Sequence, residues 1–171
     1  QLKIIKTIPN SSGWWNSIVV TDINNDGKPD IIAGNMGLNS RIKPDSLHPA
    51  KMYVGDFANN GVTECIPVYY KTDGKAYPYL LKDEIEKQLP QLKKEILQYS
   101  DYAGKSIEQI FTKEELSKAS VLTVTQPQSV VYINEGNYNF FVEYLPVMSQ
   151  LSTASCIAVT DINDDGIKDI F

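Results

Sequence analysis

Read for the spacing of its apolar positions, the chain is mostly a succession of short β-type runs. Ile18-Val19-Val20, Ile31-Ile32, Met52-Tyr53-Val54, Cys65-Ile66-Pro67-Val68-Tyr69-Tyr70, Ala76-Tyr77-Pro78-Tyr79-Leu80, Val121-Leu122-Thr123-Val124, Val130-Val131-Tyr132-Ile133 and Phe140-Phe141-Val142-Glu143-Tyr144 are rich in β-branched and aromatic residues and too short for helices. Residues Leu2 to Ile8 alternate weakly and predict a further strand. Asp73-Gly74 and Glu135-Gly136-Asn137 are hairpin turns between neighbouring runs. Pro67 cannot donate to a ladder, so its strand is expected at a sheet edge.

One stretch breaks the pattern. Ile85, Leu89, Leu92, Ile96 and Tyr99 recur at four, three, four and three residues, which marks one face of a helix. Pro90 would clash with the carbonyl four residues back, so the spacing predicts a helix over Lys82 to Gln88 and a second or kinked one to Gln98. Ser106 with Gln109 and Thr112 with Glu115 are capping boxes that open two more short helices. The helical stretch is expected to dock its apolar face on a sheet with its charges outward. The chain therefore divides into a β region with two acidic hairpins over 1–81, a helical insertion over 82–119, and a second β region with the start of a further repeat over 120–171.

Between the β runs an acidic loop recurs. Asp22, Asn24, Asp26 and Asp30 stand at loop positions one, three, five and nine, with Gly27 at six. Asp161, Asn163, Asp165 and Asp169, with Gly166, repeat the spacing. The carbonyls of Lys28 and Ile167 are the expected seventh-position ligands. A weaker copy has Asp56, Asn60 and Glu64, the carbonyl of Val62, and Ala58 where an oxygen ligand would stand.

Alternating carboxylate, amide and carbonyl oxygens around a sharp glycine turn suit a hard cation, and calcium takes six to eight oxygens at about 2.3–2.6 Å. Helical calcium loops such as the EF-hand open in the same way but close on an acid at position twelve, where the first copy has Ala33. Here the acid falls at nine and the flanks are β-branched, so a metal-wrapping β-hairpin is expected. Ordinary Asp-Asn-Gly turn chemistry explains one such loop, but not three in register.

Composition narrows the function. The chain has 171 residues and a net charge of −5, enough length for a sizeable core and no basic patch for nucleic acid. No segment is long and apolar enough to span a bilayer. Weak calcium loops work where calcium is millimolar, so an exported protein is expected: extracellular, on the cell surface or periplasmic. Gln1 is not a start methionine, so a targeting segment cannot be judged from this sequence. Cys65 and Cys156 are expected to be two buried thiols, with a reduced pair or a disulfide as the alternatives. Trp14-Trp15 reads as a packing wedge, with stacking on a sugar as the alternative. His48, beside two prolines, is expected at the surface without a catalytic role.

A mainly β, antiparallel repeat of this kind is expected to form four-stranded propeller-type blades. Val19-Val20-Thr21-Asp22 through Asp30-Ile31-Ile32-Ala33-Gly34-Asn35 resembles the FG-GAP/VCBS repeat of integrin-α-like β-propellers. Tyr132-Ile133-Asn134-Glu135-Gly136-Asn137-Tyr138-Asn139-Phe140 resembles an outer-strand segment of the UnbV-like bacterial branch, and Tyr99-Ser100-Asp101-Tyr102-Ala103-Gly104-Lys105 is similar to an insert in some of its members. The resemblance implies a calcium-stabilised, non-catalytic binding, adhesion or scaffolding module. It places the calcium positions on Asp22, Asn24, Asp26, Lys28 and Asp30, and on Asp161, Asn163, Asp165, Ile167 and Asp169. Its partner would be a protein or carbohydrate. About two blades fit this length, so an incomplete ring and further blades of the same protein are expected. A polysaccharide-active propeller enzyme would need paired acids, a tyrosine base and stacking aromatics, and no spacing singles out such a pair. A dockerin-like docking module would need helical flanks.

Overall fold

The computed structural model describes residues 3–171. Its frame is two four-stranded antiparallel sheets. The first is assembled from β1 (Ser17–Thr21), β2 (Asp30–Gly34), β7 (Val130–Gly136) and β8 (Asn139–Tyr144), in the order β1-β2-β7-β8. The second is built from β3 (Ala50–Gly55), β4 (Glu64–Tyr70), β5 (Ala76–Pro78) and β6 (Ser120–Val124), in the order β5-β4-β3-β6. A two-stranded ladder of β9 (Val159–Thr160) and β10 (Asp169–Ile170) carries the last hairpin. The fold is mainly β, with no closed barrel among the described residues, in keeping with blades of a partial propeller.

The described chain forms two compact units, 3–41 with 126–171, and 42–125. The boundaries thus fall at 41/42 and 125/126 rather than at 81 and 119. The second sheet and its helices are inserted together between β2 and β7, because β2 pairs with β7 across the interval: Ile31 with Tyr132, Ile32 with Val131 and Ala33 with Val130. The first and middle acidic hairpins therefore belong to different sheets.

In the first unit, Ala33, Val130 and Tyr132 are buried on one sheet face, with Ile8, Ile31, Phe140 and Val142 packed around them. Cross-strand pairing produces this face: Ile31 opposes Tyr132, which opposes Val142. Residues 3–8 form no strand, and Leu2 lies outside the described residues. Asn35, fully buried, closes the end of the sheet. Its Oδ1 accepts from the N–H groups of Trp14 (3.1 Å) and Met36 (2.8 Å), and its Nδ2 donates to the carbonyl of Gln126 at 2.8 Å.

In the second unit the helices cover one sheet face. Helix α1 (Lys82–Gln88) ends before Pro90, which opens a 3₁₀ turn, Pro90–Lys94, instead of continuing an α-helix to Gln98. Three short helices follow: α2 (Tyr99–Tyr102), α3 (Ile107–Ile110) and α4 (Lys113–Lys118), the last two opened by the capping boxes. Ile85, Leu89, Leu92 and Ile96 are buried with Ile66, Val68, Phe57, Ile107 and Phe111, whereas Tyr99 is exposed. Burying each such aliphatic side chain contributes about 1.5–3 kcal/mol.

Three further expectations fail. Strand β4 is internal, not an edge. The carbonyl of Pro67 accepts from the N–H of Tyr79 at 2.8 Å, so its donorless side faces β5 just beyond the last paired residue, Pro78. The charges of α1 do not all point outward, for Lys82 and Glu86 are buried as an ion pair at 2.5 Å. Cys65 and Cys156 are free and exposed, not buried. Along β4 the buried side chains are Glu64, Ile66 and Val68, which turns Cys65 to the opposite face.

Candidate functional site: three acidic hairpin loops

Each acidic stretch folds as a loop between two antiparallel strands: β1 and β2, β3 and β4, β9 and β10. The strand flanks remove the docking-module reading, which needs helices. All three loops share one hydrogen-bond scheme. The position-one aspartate accepts from the N–H groups of positions five and six. These are Asp22 from Asp26 (3.0 Å) and Gly27 (2.8 Å), Asp56 from Asn60 (3.0 Å) and Gly61 (2.8 Å), and Asp161 from Asp165 (3.2 Å) and Gly166 (2.7 Å).

Position five accepts from the N–H of position seven: Asp26 from Lys28 at 2.9 Å, Asn60 from Val62 at 2.8 Å and Asp165 from Ile167 at 2.7 Å. Position nine reaches back to the N–H of position two: Asp30 to Ile23 at 2.9 Å, Glu64 to Phe57 at 2.8 Å and Asp169 to Ile162 at 3.0 Å. Asn24 and Asn163 add a bond from the position-five N–H, at 3.1 and 3.2 Å. Ala58 makes none, yet the middle loop keeps the same shape.

The backbone explains the residue choice. Position four is left-handed in every copy, at φ 59° for Asn25, 51° for Asn59 and 57° for Asp164. The position-six glycines Gly27, Gly61 and Gly166 lie at 83°, 81° and 84°. Short Asx side chains tolerate the first conformation and glycine takes the second without steric cost.

The predicted site residues are therefore brought together loop by loop, but their carboxylates face mainly backbone amides, with Asn163 Nδ2 also donating to Asp165 Oδ2 at 2.8 Å. Among the described residues no group of three His, Cys, Asp or Glu side chains converges as a metal cluster. Each loop has acids only at positions one, five and nine of the donor series, or one and nine in the middle copy, interleaved with amide and carbonyl oxygens. An ionised carboxylate has about four lone-pair sites, so one N–H bond per oxygen leaves acceptor capacity on each. An all-oxygen set of this kind fits a hard cation.

Two features separate the loops. Asp30 is fully buried and Glu64 nearly so, whereas Asp169 is half-buried. Lys28 Nζ lies 2.9 Å from Asp26 Oδ2. That bond, with the Lys28 N–H second, holds Asp26 below the usual carboxylate range, and Asp26 in turn holds Lys28 above the usual ammonium range.

Sequence reasoning missed Asn134, which clasps the first loop. Its N–H donates to Asp30 Oδ1 at 2.7 Å, its Nδ2 donates to the Pro29 carbonyl at 3.0 Å, and its Oδ1 accepts from the Gly136 N–H at 2.9 Å. The register shift between Asn134 and Gly136 is the structural mark of that clasp, and the Gly136-Asn137 pair in the sequence was its only signal. Trp15 stands edge-on to Tyr132 at 6.1 Å and donates through Nε1 to the Ser11 carbonyl at 2.8 Å, which suits the packing wedge. The two rings border an apolar cavity of about 360 Å³. His48 is exposed beside Asp45 and packs on Tyr70.

Residues 14–44, a span that holds the first loop and both its strands, match the family model of the FG-GAP repeat. The chain thus carries an FG-GAP repeat. Comparison with curated proteins and with solved structures gave no match.

Proposed function

We propose that the chain is a calcium-binding, non-catalytic module of a larger exported repeat protein, which binds or holds a protein or carbohydrate outside the cytosol. The observation that carries this reading is the common hydrogen-bond scheme of the three loops, with oxygen donors at the same positions except for Ala58 in the middle one. FG-GAP repeats are typical of extracellular and secreted proteins, which agrees with it. The similarity of residues 132–140 to the UnbV-like branch adds a bacterial setting.

In this reading Asp22, Asn24, Asp26, Asp30 and the Lys28 carbonyl hold one ion. Asp161, Asn163, Asp165, Asp169 and the Ile167 carbonyl hold another. Asp56, Asn60, Glu64 and the Val62 carbonyl form a weaker site. Bound calcium supplies positive charge that offsets the repulsion among the carboxylates. The loops do the rest, for their Asx bonds preset the turn and the flanking strands fix its ends. Affinity on the order of 10⁻⁴–10⁻³ M is expected, as in extracellular modules.

Calorimetric titration of the chain with calcium tests the reading. Heat of binding together with a calcium-dependent rise in melting temperature supports it through linkage. No heat, and a melting curve unmoved by chelator, contradicts it.

A further inference from the structure

We infer that the outer loops, although built on the same donor series, are unequal toward calcium: the third is the principal site, because the first has one ligand carboxylate covered by its own Lys28 and a second ammonium, that of Lys168, lodged against its backbone. This rests on the calcium reading above. The first lysine is the loop's own, since Lys28 Nζ sits on Asp26 Oδ2 at 2.9 Å. The second comes from the third loop, where Lys168 Nζ donates to the carbonyl of Asp22 and to Thr21 Oγ1. Asn25 Nδ2 donates to the Gly166 carbonyl at 3.1 Å, so the two loops lie side by side and the approach of Lys168 is part of a built contact.

The third loop has the opposite balance. Its nine residues carry four carboxylates, Asp161, Asp164, Asp165 and Asp169, where the first loop has three, Asp22, Asp26 and Asp30. Its only lysine, Lys168, is turned toward the first loop. At position seven it has Ile167 where the first loop has Lys28. A cation entering the first loop must displace one ammonium from a ligand carboxylate and approach a second. A cation entering the third meets neither. An exposed ion pair such as that of Lys28 with Asp26 shifts an equilibrium by about two- to fivefold.

The same contrast sets what each loop needs in order to stay folded. The first loop has one of its three carboxylates paired by Lys28 and is anchored by five-residue strands. The third is held by two-residue strands and carries the larger uncompensated charge.

The test is a calcium titration of the whole chain followed by NMR at the Gly27 and Gly166 amides, which report the first and third loops separately. Gly166 should reach its midpoint at about fivefold lower calcium than Gly27. Lys28→Ile, which copies Ile167, should lower the Gly27 midpoint two- to fivefold, and Lys168→Gln should act in the same direction. Ile167→Lys should raise the Gly166 midpoint. Coincident midpoints in the parent, or a Gly27 midpoint unmoved by both lysine substitutions, overturn the inference and leave calcium binding standing. If neither glycine responds at millimolar calcium, the inference and the calcium reading both fall.

Discussion

The backbone N–H of Asn134 donates to Oδ1 of Asp30 at 2.7 Å, while the other oxygen of that carboxylate accepts from Ile23 at 2.9 Å. A single buried acid thus ties the first loop both to itself and to the neighbouring strand β7. It is a structural clasp before any cation arrives. Asp30→Ala leaves two N–H groups without their acceptor, and each orphaned donor costs about 1–3 kcal/mol. We expect a loss of about 2–6 kcal/mol in urea unfolding under chelator, set by those two donors. Asn134→Ala, which leaves its own backbone N–H in place, should cost less. Equal losses for the two variants would contradict the clasp.

Asp26 is exposed by comparison, and its bonds stay within the loop. Asp26→Ala should abolish cation binding at the first loop, leave the third loop intact and barely change the melting temperature under chelator. Global unfolding of this variant would show that the loop organises the sheet rather than hanging from it.

The buried pair of Lys82 and Glu86 predicts a different signature. Removing one partner leaves a charge in a site where both side chains are about nine-tenths covered, and such losses run to roughly 3–5 kcal/mol. Glu86→Ala should therefore destabilise strongly. The double substitution Lys82→Met with Glu86→Leu should recover most of the loss, because paired apolar replacements are often neutral. Chemical denaturation of the three variants checks this, and an additive double mutant would refute it.

Tyr102 gives the second unit a dependence on alkaline pH. Burial first, then the charges of Glu84 and Tyr69, push its phenol up to about 12, and its O–H donates to the Leu80 carbonyl at 2.7 Å. The fold holds the neutral form. Its stabilisation is complete below the unfolded value of 10.0 and is lost as the pH rises toward about 12. Thermal melts between pH 9 and 12 should fall less steeply for Tyr102→Phe than for the parent. Parallel curves would remove Tyr102 from the account.

What was legible in the sequence was local. Helix α1 begins and ends where its period and Pro90 place it, Ser106 and Thr112 open the helices their capping boxes announce, and the loop spacing locates every turn. What was not legible depended on distant partners. The alternation in β2 is satisfied by any strand that offers an apolar face, so nothing in Ile31-Ile32-Ala33 names β7, where Ala33 meets Val130, as its neighbour. Pro67 marked an edge by its missing donor, but it lies beside a strand too short to need one. Lys82 and Glu86 looked solvated because charge usually is, and only packing shows that they meet under cover. In the loops, the spacing identified the oxygens, whereas the unequal placement of Lys28 and Lys168 is a tertiary fact.

The most direct test of the central claim is a crystal of the chain grown with calcium and measured for anomalous scattering. The account predicts a peak in the third loop within about 2.3–2.6 Å of oxygens from Asp161, Asn163, Asp165, Asp169 and the Ile167 carbonyl. A lower-occupancy peak is expected in the first loop, and the weakest or none in the middle one. Loops free of anomalous density at millimolar calcium would contradict the claim that these hairpins are cation sites.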